Sequence, residues 1–437
     1  NAPLTLLVMD RAQRRSALLA ADEKTGNTTV LLTEEDAAWL SQDVSVPRWL
    51  PDGSAFLWST ERNGGSELEL RDRQGARLST VAAQTMGYRS LAGIDAEKKI
   101  AYVRASVEPI RDELWAAPFD GSAPRPISKN ADSVFYASFG DSPRIYGFME
   151  ATTGGEHRFG VRSADGAVTI PVPSEAEAPP FKPNIEYAKI GKDQYRTAIL
   201  RPRSFDKGRR YPVIEYIYAG PGTCVVNADA RRYLQQQWLA DTTQSIVIFI
   251  DSIGSCRRGR AWERAFAGRY GELAIDAHAA TIGELAKTYP EIDAARVGVY
   301  GWSNGGYSTA MAILRRPDVF KAGVSGAPVA DLRDYDALME RFFGLLPNPA
   351  YDAHSLLTWA SRPPTAASPA RPLLLIHGTA DDNVYLVHSL KFAEAMARAG
   401  RPMEFMPLIG QTHMLSDPDT AAAVAKRTAE FFREHLR

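Results

Sequence analysis

The first 175 residues alternate short runs of β-branched and aromatic residues with turn signals. Repeats of about 40 to 50 residues are typical of the four-stranded blades of a β-propeller. We therefore predict an all-β, propeller-type domain, with an ordinary β-sandwich as the alternative. The segment 47–58 predicts a strand, a tight turn and a second strand within one blade. Four similar turn signals recur at intervals of 45 to 49 residues: Thr25-Gly26-Asn27, Gln74-Gly75, Asp120-Gly121 and Asp165-Gly166.

A proline-rich segment, residues 171–183, interrupts this pattern. Because proline fixes φ and removes a backbone donor, the segment cannot form a helix or a central strand. We place a domain boundary there, with a propeller portion at 1–178 and a second domain at 185–437. In the second domain strands alternate with longer helices, which predicts a doubly wound, mostly parallel sheet. The candidate strands are 213–218, 246–250, 297–300, 322–325, 373–376 and 404–407, and the candidate helices are 273–288, 307–315, 388–399 and 421–435.

The composition is that of an ordered globular chain. Of 437 residues, 45% are hydrophobic and 24% charged, and 51 Lys+Arg against 52 Asp+Glu give a formal net charge of −1. Without a basic stripe, neither nucleic acid nor an anionic membrane surface is an expected partner. No apolar run reaches the roughly 20 residues of a membrane span.

Two further features concern the cysteines and the start of the chain. Cys224 and Cys256 cannot form a disulfide scaffold, and we interpret them as structural or inert thiols, with one bond between them as the alternative. Because the chain begins at Asn1 and not at Met, we expect a processed or truncated start.

The segment Gly301-Trp302-Ser303-Asn304-Gly305-Gly306 lies between a predicted strand and a predicted helix. Small residues at such a turn permit the sharp bend of a nucleophile elbow, which lifts a serine hydroxyl above the sheet. A G-x-S-x-G pentapeptide alone arises by chance, but this context favours Ser303 as a nucleophile.

A serine nucleophile needs a histidine base, which in α/β-hydrolases follows it in the chain. His413 lies in a loop after the last predicted strand, where a base can reach Ser303. His377 ends a predicted strand, while His388 and His435 lie within predicted helices, where a packing or surface role is usual. We therefore interpret His413 as the base.

The base in turn needs a carboxylate, and the reaction needs donors for the oxyanion. Asp381 and Asp382 both follow a predicted strand, and their positions do not distinguish them. The backbone N–H of Asn304 is one oxyanion donor by construction of the elbow. The second must come from the loop after an early strand, for which we propose residues 216–222.

At these residues the chain resembles the dipeptidyl peptidase IV family of the prolyl oligopeptidase clan of serine peptidases. The resemblance covers residues 185–437 well and the β region more loosely. It rests on Tyr218-Ala219-Gly220-Pro221, Gly301-Trp302-Ser303, Gly305-Gly306-Tyr307, Ala327-Pro328-Val329, Tyr335-Asp336 and the run His377 to Val384.

The resemblance implies a role for each matching residue. It makes Ser303 the nucleophile, His413 the base and Asp381, rather than Asp382, the acid. Tyr218 would donate its hydroxyl to the oxyanion, and Asn383 would hold a substrate carbonyl. The residues implied to line the pocket before the scissile bond are Tyr335, Val329 and Val384.

The sequence departs from the family pattern at four places. Asn304 and Leu332 stand where the family has aromatic residues, and the stretch after Asp336 is one residue short, so a pocket tyrosine has no counterpart. At 251–254 an arginine of the family is missing. We find no match to the paired glutamates that bind the substrate amine, and we interpret Glu34-Glu35 as a solvated turn.

The resulting hypothesis is a serine exopeptidase that releases Xaa-Pro or Xaa-Ala dipeptides through an acyl-enzyme, without metal or cofactor. The alternatives are an acylaminoacyl peptidase, oligopeptidase or esterase of the same clan, and a non-catalytic binding protein. The resemblance also implies peptide substrates, homodimers in many relatives, and a periplasmic or secreted location. We further expect an incomplete propeller of about four blades, because relatives carry seven or eight.

Overall fold

The computed structural model describes residues 2–128, 130, 132–140 and 142–437. Asn1, where we expect a processed start, lies outside the described residues. The chain divides into two compact units. The N-terminal unit comprises residues up to Lys182 together with Asn227–Arg232 and Cys256–Arg264, and the C-terminal unit comprises Pro183–Val226, Tyr233–Ser255 and Ala265–Arg437.

The described residues of the N-terminal unit form four antiparallel sheets, each built from strands that follow one another in the chain. The alternation of large apolar and polar residues gives each strand one face for the core. The first sheet contains β1 (Leu4–Met9), β2 (Arg15–Ala21) and β3 (Thr28–Glu35). The second contains β4 (Arg48–Trp49), β5 (Ala55–Thr60), β6 (Glu67–Asp72) and β7 (Arg77–Ala82). The third contains β8 (Tyr88–Asp95), β9 (Ile100–Ala105), β10 (Glu113–Pro118) and β11 (Arg125–Pro126), and the fourth β12 (Ser133–Phe139), β13 (Ile145–Thr152), β14 (His157–Ser163) and β15 (Thr169–Val172).

The four repeated turns each join the last two strands of one sheet. Their glycines have positive φ values of 74°, 92°, 79° and 79° at Gly26, Gly75, Gly121 and Gly166, a conformation that favours glycine. The repeat therefore corresponds to one sheet per period, as predicted. The hairpin predicted at 47–58 is also confirmed, because β4 pairs with β5.

Glu34 and Glu35 do not form a solvated turn, and that interpretation is wrong. Both lie in β3, and Glu34 is 7% exposed. The Glu34 carboxylate accepts hydrogen bonds from Trp58, Thr60 and Arg62. A carboxylate that finds three donors can be buried at the end of a strand, which a local sequence pattern does not indicate.

The segment Cys256–Arg264 is held within the N-terminal unit by ion pairs. Arg257 pairs with the buried Asp112 at 3.3 Å. Arg264 pairs with three carboxylates, at 2.5 Å from Glu61, 3.3 Å from Glu263 and 3.5 Å from Asp36. Burial, and then the neighbouring Glu61 carboxylate, raise the pKa of Glu263 to about 7.

The C-terminal unit is built on one eight-stranded sheet. Its inner strands are parallel, whereas the two N-terminal strands pair antiparallel at one edge. β19 and β22 are buried at every position, which is typical of parallel strands covered on both faces. The strands are β16 (Ile185–Ile190), β17 (Tyr195–Leu200), β18 (Tyr211–Tyr216), β19 (Ile246–Asp251), β20 (Ile292–Trp302), β21 (Phe320–Gly326), β22 (Leu373–Gly378) and β23 (Glu404–Leu408), in the order β16-β17-β19-β18-β20-β21-β22-β23.

All six predicted strands and four predicted helices of this unit are present, with shifted ends. The strands β16 and β17 and four helices of this unit, α1, α5, α6 and α7, were not predicted. The helices are α1 (Leu234–Thr243), α2 (Arg260–Arg264, in the N-terminal unit), α3 (Tyr270–Thr288), α4 (Asn304–Arg315), α5 (Glu340–Phe343), α6 (Ala350–His354), α7 (Leu356–Ala360), α8 (Val387–Arg398) and α9 (Pro418–His435). Short 3-10 segments lie at Gln84–Met86, Ala230–Tyr233, Leu332–Asp334 and Ala337–Met339.

The interpretation of the cysteines as inert thiols is wrong. Neither is free, because Cys224 and Cys256 are disulfide-bonded. Among the described residues, no helix is long and apolar enough to cross a membrane.

Candidate active site

Ser303 lies between β20 and α4 in a strained conformation, with φ 60° and ψ −121°. Its backbone N–H donates to the carbonyl of Gly326 at 2.8 Å, and its own carbonyl accepts from Tyr307 at 3.0 Å. A non-glycine residue with positive φ is costly and persists where the surroundings fix it. The strand, turn and helix around Ser303 are those of a nucleophile elbow.

The glycines that follow Ser303 allow the start of α4 to lie close to the backbone at Ile217 and Gly326. A Cβ atom at Gly305 would lie 2.5 Å from the carbonyl oxygen of Ile217, and one at Gly306 would lie 2.1 Å from that of Gly326. Both distances are far inside van der Waals contact, so no other residue fits here without moving a neighbouring strand. The glycines thus set the position of α4 against the sheet.

His413 and Asp381 are joined by a hydrogen bond of 2.8 Å between Nδ1 and Oδ2. The other carboxylate oxygen of Asp381 accepts the backbone N–H groups of Asn383 at 3.0 Å and Val384 at 2.8 Å. Asp381 and His413 are 5% and 7% exposed, whereas Asp382 is exposed. Of the two aspartates that sequence position did not distinguish, Asp381 is the one whose carboxylate bonds to His413.

His377 supports this pair from the interior, a role that we did not predict. Its Nε2 lies 2.7 Å from the carbonyl oxygen of Val384 and 3.3 Å from Oδ2 of Asp381, and its Nδ1 lies 2.6 Å from Ser389 Oγ. Burial lowers the pKa of His377, so the ring is neutral near pH 7. With its proton on Nε2 it donates toward Val384 and accepts from the Ser389 hydroxyl, which fixes the loop that carries Asp381.

Ser303 and His413 line the same cavity, which has a volume of about 670 Å³. The indole Nε1 of Trp302 donates to the carbonyl of His413 at 2.9 Å and so ties the histidine loop to the elbow. No hydrogen bond joins Ser303 Oγ to His413 in the described part of the chain. Such bonds are often long without substrate and tighten when substrate binds.

The side chain of Asn304 connects the elbow to the Tyr218 loop. Its Nδ2 donates to the carbonyl of Ala219 at 2.9 Å, and its Oδ1 accepts from the hydroxyl of Tyr270 at 2.5 Å. Burial, and then the neighbouring Tyr218 and Tyr335, raise the pKa of Tyr270 above its usual range, so this hydroxyl stays protonated as a donor. A Cβ atom at Gly220 would lie 2.8 Å from Asn304 Nδ2, so the glycine permits this contact.

Tyr218, Tyr335 and Asn383 also line the cavity, and the Tyr335 hydroxyl donates to Asn383 Oδ1 at 2.9 Å. Val329 and Val384 are 4% and 0% exposed and are not among the lining residues. The structure thus brings together three of the five residues implied to bind substrate or oxyanion through their side chains. The pocket role of the two valines stays a prediction.

One group of side chains among the described residues could hold a metal ion, formed by Glu404, Glu434 and His435. Arg427 already pairs with Glu404 at 2.7 Å and with Glu434 at 3.4 Å. The group is distant in sequence from Ser303 and contributes no residue to the cavity.

Comparison with known proteins finds two family profiles. The prolyl oligopeptidase family matches residues 231–437, and the N-terminal region of dipeptidyl peptidase IV matches residues 1–147. Dipeptidyl peptidase 8 of Mus musculus is 32% identical over 241 residues, which cover 54% of this chain and 27% of that protein. Venom dipeptidyl peptidase 4 of Vespa velutina is 27% identical over 335 residues, or 70% of this chain and 42% of that protein.

Among solved structures, dipeptidyl peptidase 4 of Porphyromonas gingivalis matches with a TM-score of 0.87 and 24% identity over 99% of this chain and 62% of that chain. At this identity the match shows the fold. The chain spans less than half the length of the curated relatives named above and under two thirds of this solved structure.

Proposed function

The chain belongs to the prolyl oligopeptidase family of serine peptidases, with similarity to its dipeptidyl peptidase IV branch, and from this we propose that it is a dipeptidyl peptidase that acts through Ser303, His413 and Asp381. The proposal rests above all on one observation. Ser303 has a strained backbone conformation at the elbow and lines the same cavity as His413. The Nδ1 atom of His413 is hydrogen-bonded to Asp381. This is the arrangement that serine acyl transfer requires.

The proposed reaction proceeds through an acyl-enzyme. Ser303 Oγ attacks the scissile carbonyl carbon while Nε2 of His413 takes the hydroxyl proton. The proton then passes from His413 to the leaving nitrogen as the amide bond breaks. Water, deprotonated by His413, attacks the ester, and Ser303 recovers its proton as the dipeptide acid leaves.

Two donors would stabilise the oxyanion in both steps. The backbone N–H of Asn304 is at the start of α4, where it has no partner within the helix. Tyr218 lines the same cavity, and its hydroxyl would be the second donor. Donors aimed at a developing negative charge usually supply a large share of the rate enhancement in acyl transfer.

For the residue before the scissile bond we propose proline or alanine. Tyr335 and Asn383, which are joined by a hydrogen bond, would line this pocket and hold the preceding carbonyl. Leu332 is 3% exposed and lacks the ring that the family pattern has at this position. We therefore expect a modest preference for proline over alanine, because fewer rings stack on the pyrrolidine.

A second candidate is an acylaminoacyl peptidase or oligopeptidase of the same family. The observation that favours it is the absence of any aspartate or glutamate from the residues that line the described cavity. A dipeptidyl peptidase needs a carboxylate for the free amine of its substrate, whereas a peptidase for blocked peptides does not.

The test combines active-site labelling with paired substrates. We expect a fluorophosphonate probe to label the wild type and not Ser303→Ala, with both variants folded by circular dichroism. We also expect hydrolysis of free Xaa-Pro nitroanilides to exceed that of their N-acetyl forms. Equal labelling of the wild type and Ser303→Ala would refute the assignment of Ser303 as the nucleophile. A preference for N-acetyl substrates would favour the second candidate.

We also propose that the protein works in the periplasm or outside the cell. Cys224 and Cys256 are both disulfide-bonded, which supports this location because disulfides persist in oxidising compartments. Fractionation of the native host, with a thiol-labelling assay of the recovered protein, tests the location. Recovery from the cytoplasm with two free thiols would contradict it.

A further inference from the structure

The cavity that contains Ser303 extends well beyond the catalytic residues. Past Trp302 it continues between the sheet and the helices α1 and α9, which pack against each other. We call this extension the α1–α9 groove. Its walls include Gln236 and Trp238 on α1, Met414 and Leu415 after the histidine, and Val424 and Ala425 on α9.

In the proposed reaction, the α1–α9 groove would lie on the leaving-group side. His413 must give its proton to the leaving nitrogen, so the leaving group emerges beside the histidine loop. Met414 and Leu415 continue that loop directly into the groove wall. Tyr335 and Asn383, the residues assigned to the acyl side, are joined to each other and belong to other loops.

The lining carries no formal charge. None of the residues around the whole cavity is Asp, Glu, Lys or Arg. The groove walls combine apolar and aromatic side chains with a few amide and hydroxyl groups, among them Gln236 and Thr428. Such walls favour an apolar chain and disfavour an unpaired charge, whose desolvation nothing in the lining compensates.

We propose, on the basis of the proposed function, that the α1–α9 groove binds the leaving-group segment of the peptide and selects an uncharged, apolar stretch. A tripeptide places its terminal carboxylate just after the scissile bond, beside walls with no countercharge. Longer or amidated peptides carry no charge there. The preferred substrates are therefore peptides longer than three residues with an apolar residue after the cleaved bond.

The test compares leaving groups that share one acyl part. We expect kcat/KM for Xaa-Pro-Phe-amide to exceed that for the Xaa-Pro-Phe acid by about 10- to 100-fold, with Xaa-Pro-Asp-Ala-amide also poor. Ala425→Lys places a cation in the groove wall, so we expect the acid-to-amide ratio of kcat/KM to rise at least fivefold. Ala425→Glu should lower the same ratio.

Ala423→Lys provides the matched control, because Ala423 is exposed on α9 and does not line the cavity. Its ratio should equal that of the wild type. Two results would overturn the groove proposal and leave the proposed function intact, provided that Xaa-Pro-nitroanilides are hydrolysed normally. One is an equal kcat/KM for the Xaa-Pro-Phe acid and amide, and the other is the same acid-to-amide ratio in Ala425→Lys and Ala423→Lys. No hydrolysis of any dipeptide-linked substrate would instead refute the proposed function.

Discussion

Nδ1 of His413 lies 2.8 Å from Oδ2 of Asp381, and the second oxygen of that carboxylate accepts two backbone N–H groups. Three donors thus hold the carboxylate in one orientation. A carboxylate fixed in this way keeps the proton of His413 on Nδ1 and leaves Nε2 unprotonated, as the proposed role of base requires. The tautomer of His413 therefore depends on Asp381.

Asp381→Asn should lower kcat by about 10⁴-fold while the fold is retained. The amide keeps the shape of the side chain but can present an N–H to His413, which favours the wrong tautomer. Steady-state kinetics with a dipeptide nitroanilide and the near-UV circular dichroism spectrum check the two parts of this prediction.

Asp382→Asn is the matched control, because this neighbouring carboxylate is exposed. We expect its kcat to stay within about twofold of the wild type, as for most surface substitutions. If the two variants lost activity equally, the assignment of Asp381 as the acid would be wrong.

Removal of the Tyr270 hydroxyl should impair catalysis without weakening substrate binding. Tyr270 holds Asn304, and Asn304 holds the carbonyl of Ala219 next to Tyr218. We expect Tyr270→Phe and Asn304→Ala each to lower kcat by about 10- to 100-fold with KM changed less than threefold, because donors to the oxyanion act in the transition state.

A loss of stability alone would not lower kcat and leave KM nearly unchanged. This combination of kcat and KM therefore identifies a positioning role. A peptide boronate, which forms a tetrahedral adduct, should also bind both variants more weakly than the wild type. Unchanged kcat in Tyr270→Phe would show that the Tyr218 loop needs no such support.

Glu263→Gln should stabilise the protein at high pH. The carboxyl group has an ordinary pKa of 4.5 and a pKa of about 7 in the folded protein. The unfolded chain therefore ionises first, and the stability present below pH 4.5 is lost as the pH rises through 7. Glutamine removes this loss, which amounts to about 3 kcal/mol at pH 8.

Urea unfolding at pH 5 and pH 8 measures this effect. The difference between variant and wild type should be larger at pH 8. Glu394→Gln serves as the control, since its side chain is 61% exposed and pairs only across one helical turn. An equal gain at both pH values would contradict the raised pKa of Glu263.

The regular parts of the fold were predictable because they depend on local chemistry. Glycines with positive φ marked each sheet of the N-terminal unit, as at Gly75, and buried apolar runs marked the inner strands, as at β22. The elbow around Ser303 was predictable for the same reason, since close backbone contacts there admit only glycine.

Features that depend on distant partners were not predictable. The burial of Glu34 requires donors some 24 to 28 residues away, and the disulfide-bonded state of Cys224 and Cys256 is not encoded in the residues next to either cysteine. α1 escaped the pattern because its sequence, LQQQWLADTT, lacks a strong apolar face. Because α1 was not predicted, the groove beyond Trp302 could not be predicted either.

The pairing of strands also has a kinetic consequence. In the N-terminal unit every sheet joins strands that are consecutive in the chain, whereas in the C-terminal unit Val213 of β18 pairs with Val297 of β20. Local pairing closes short loops and proceeds fast, and distant parallel pairing is slow. In a pulse-labelled hydrogen-exchange experiment on the refolding protein, the amides of β5 and β6 should therefore become protected before those of β18. During synthesis, the antiparallel sheets can form before the last residues of the C-terminal unit leave the ribosome.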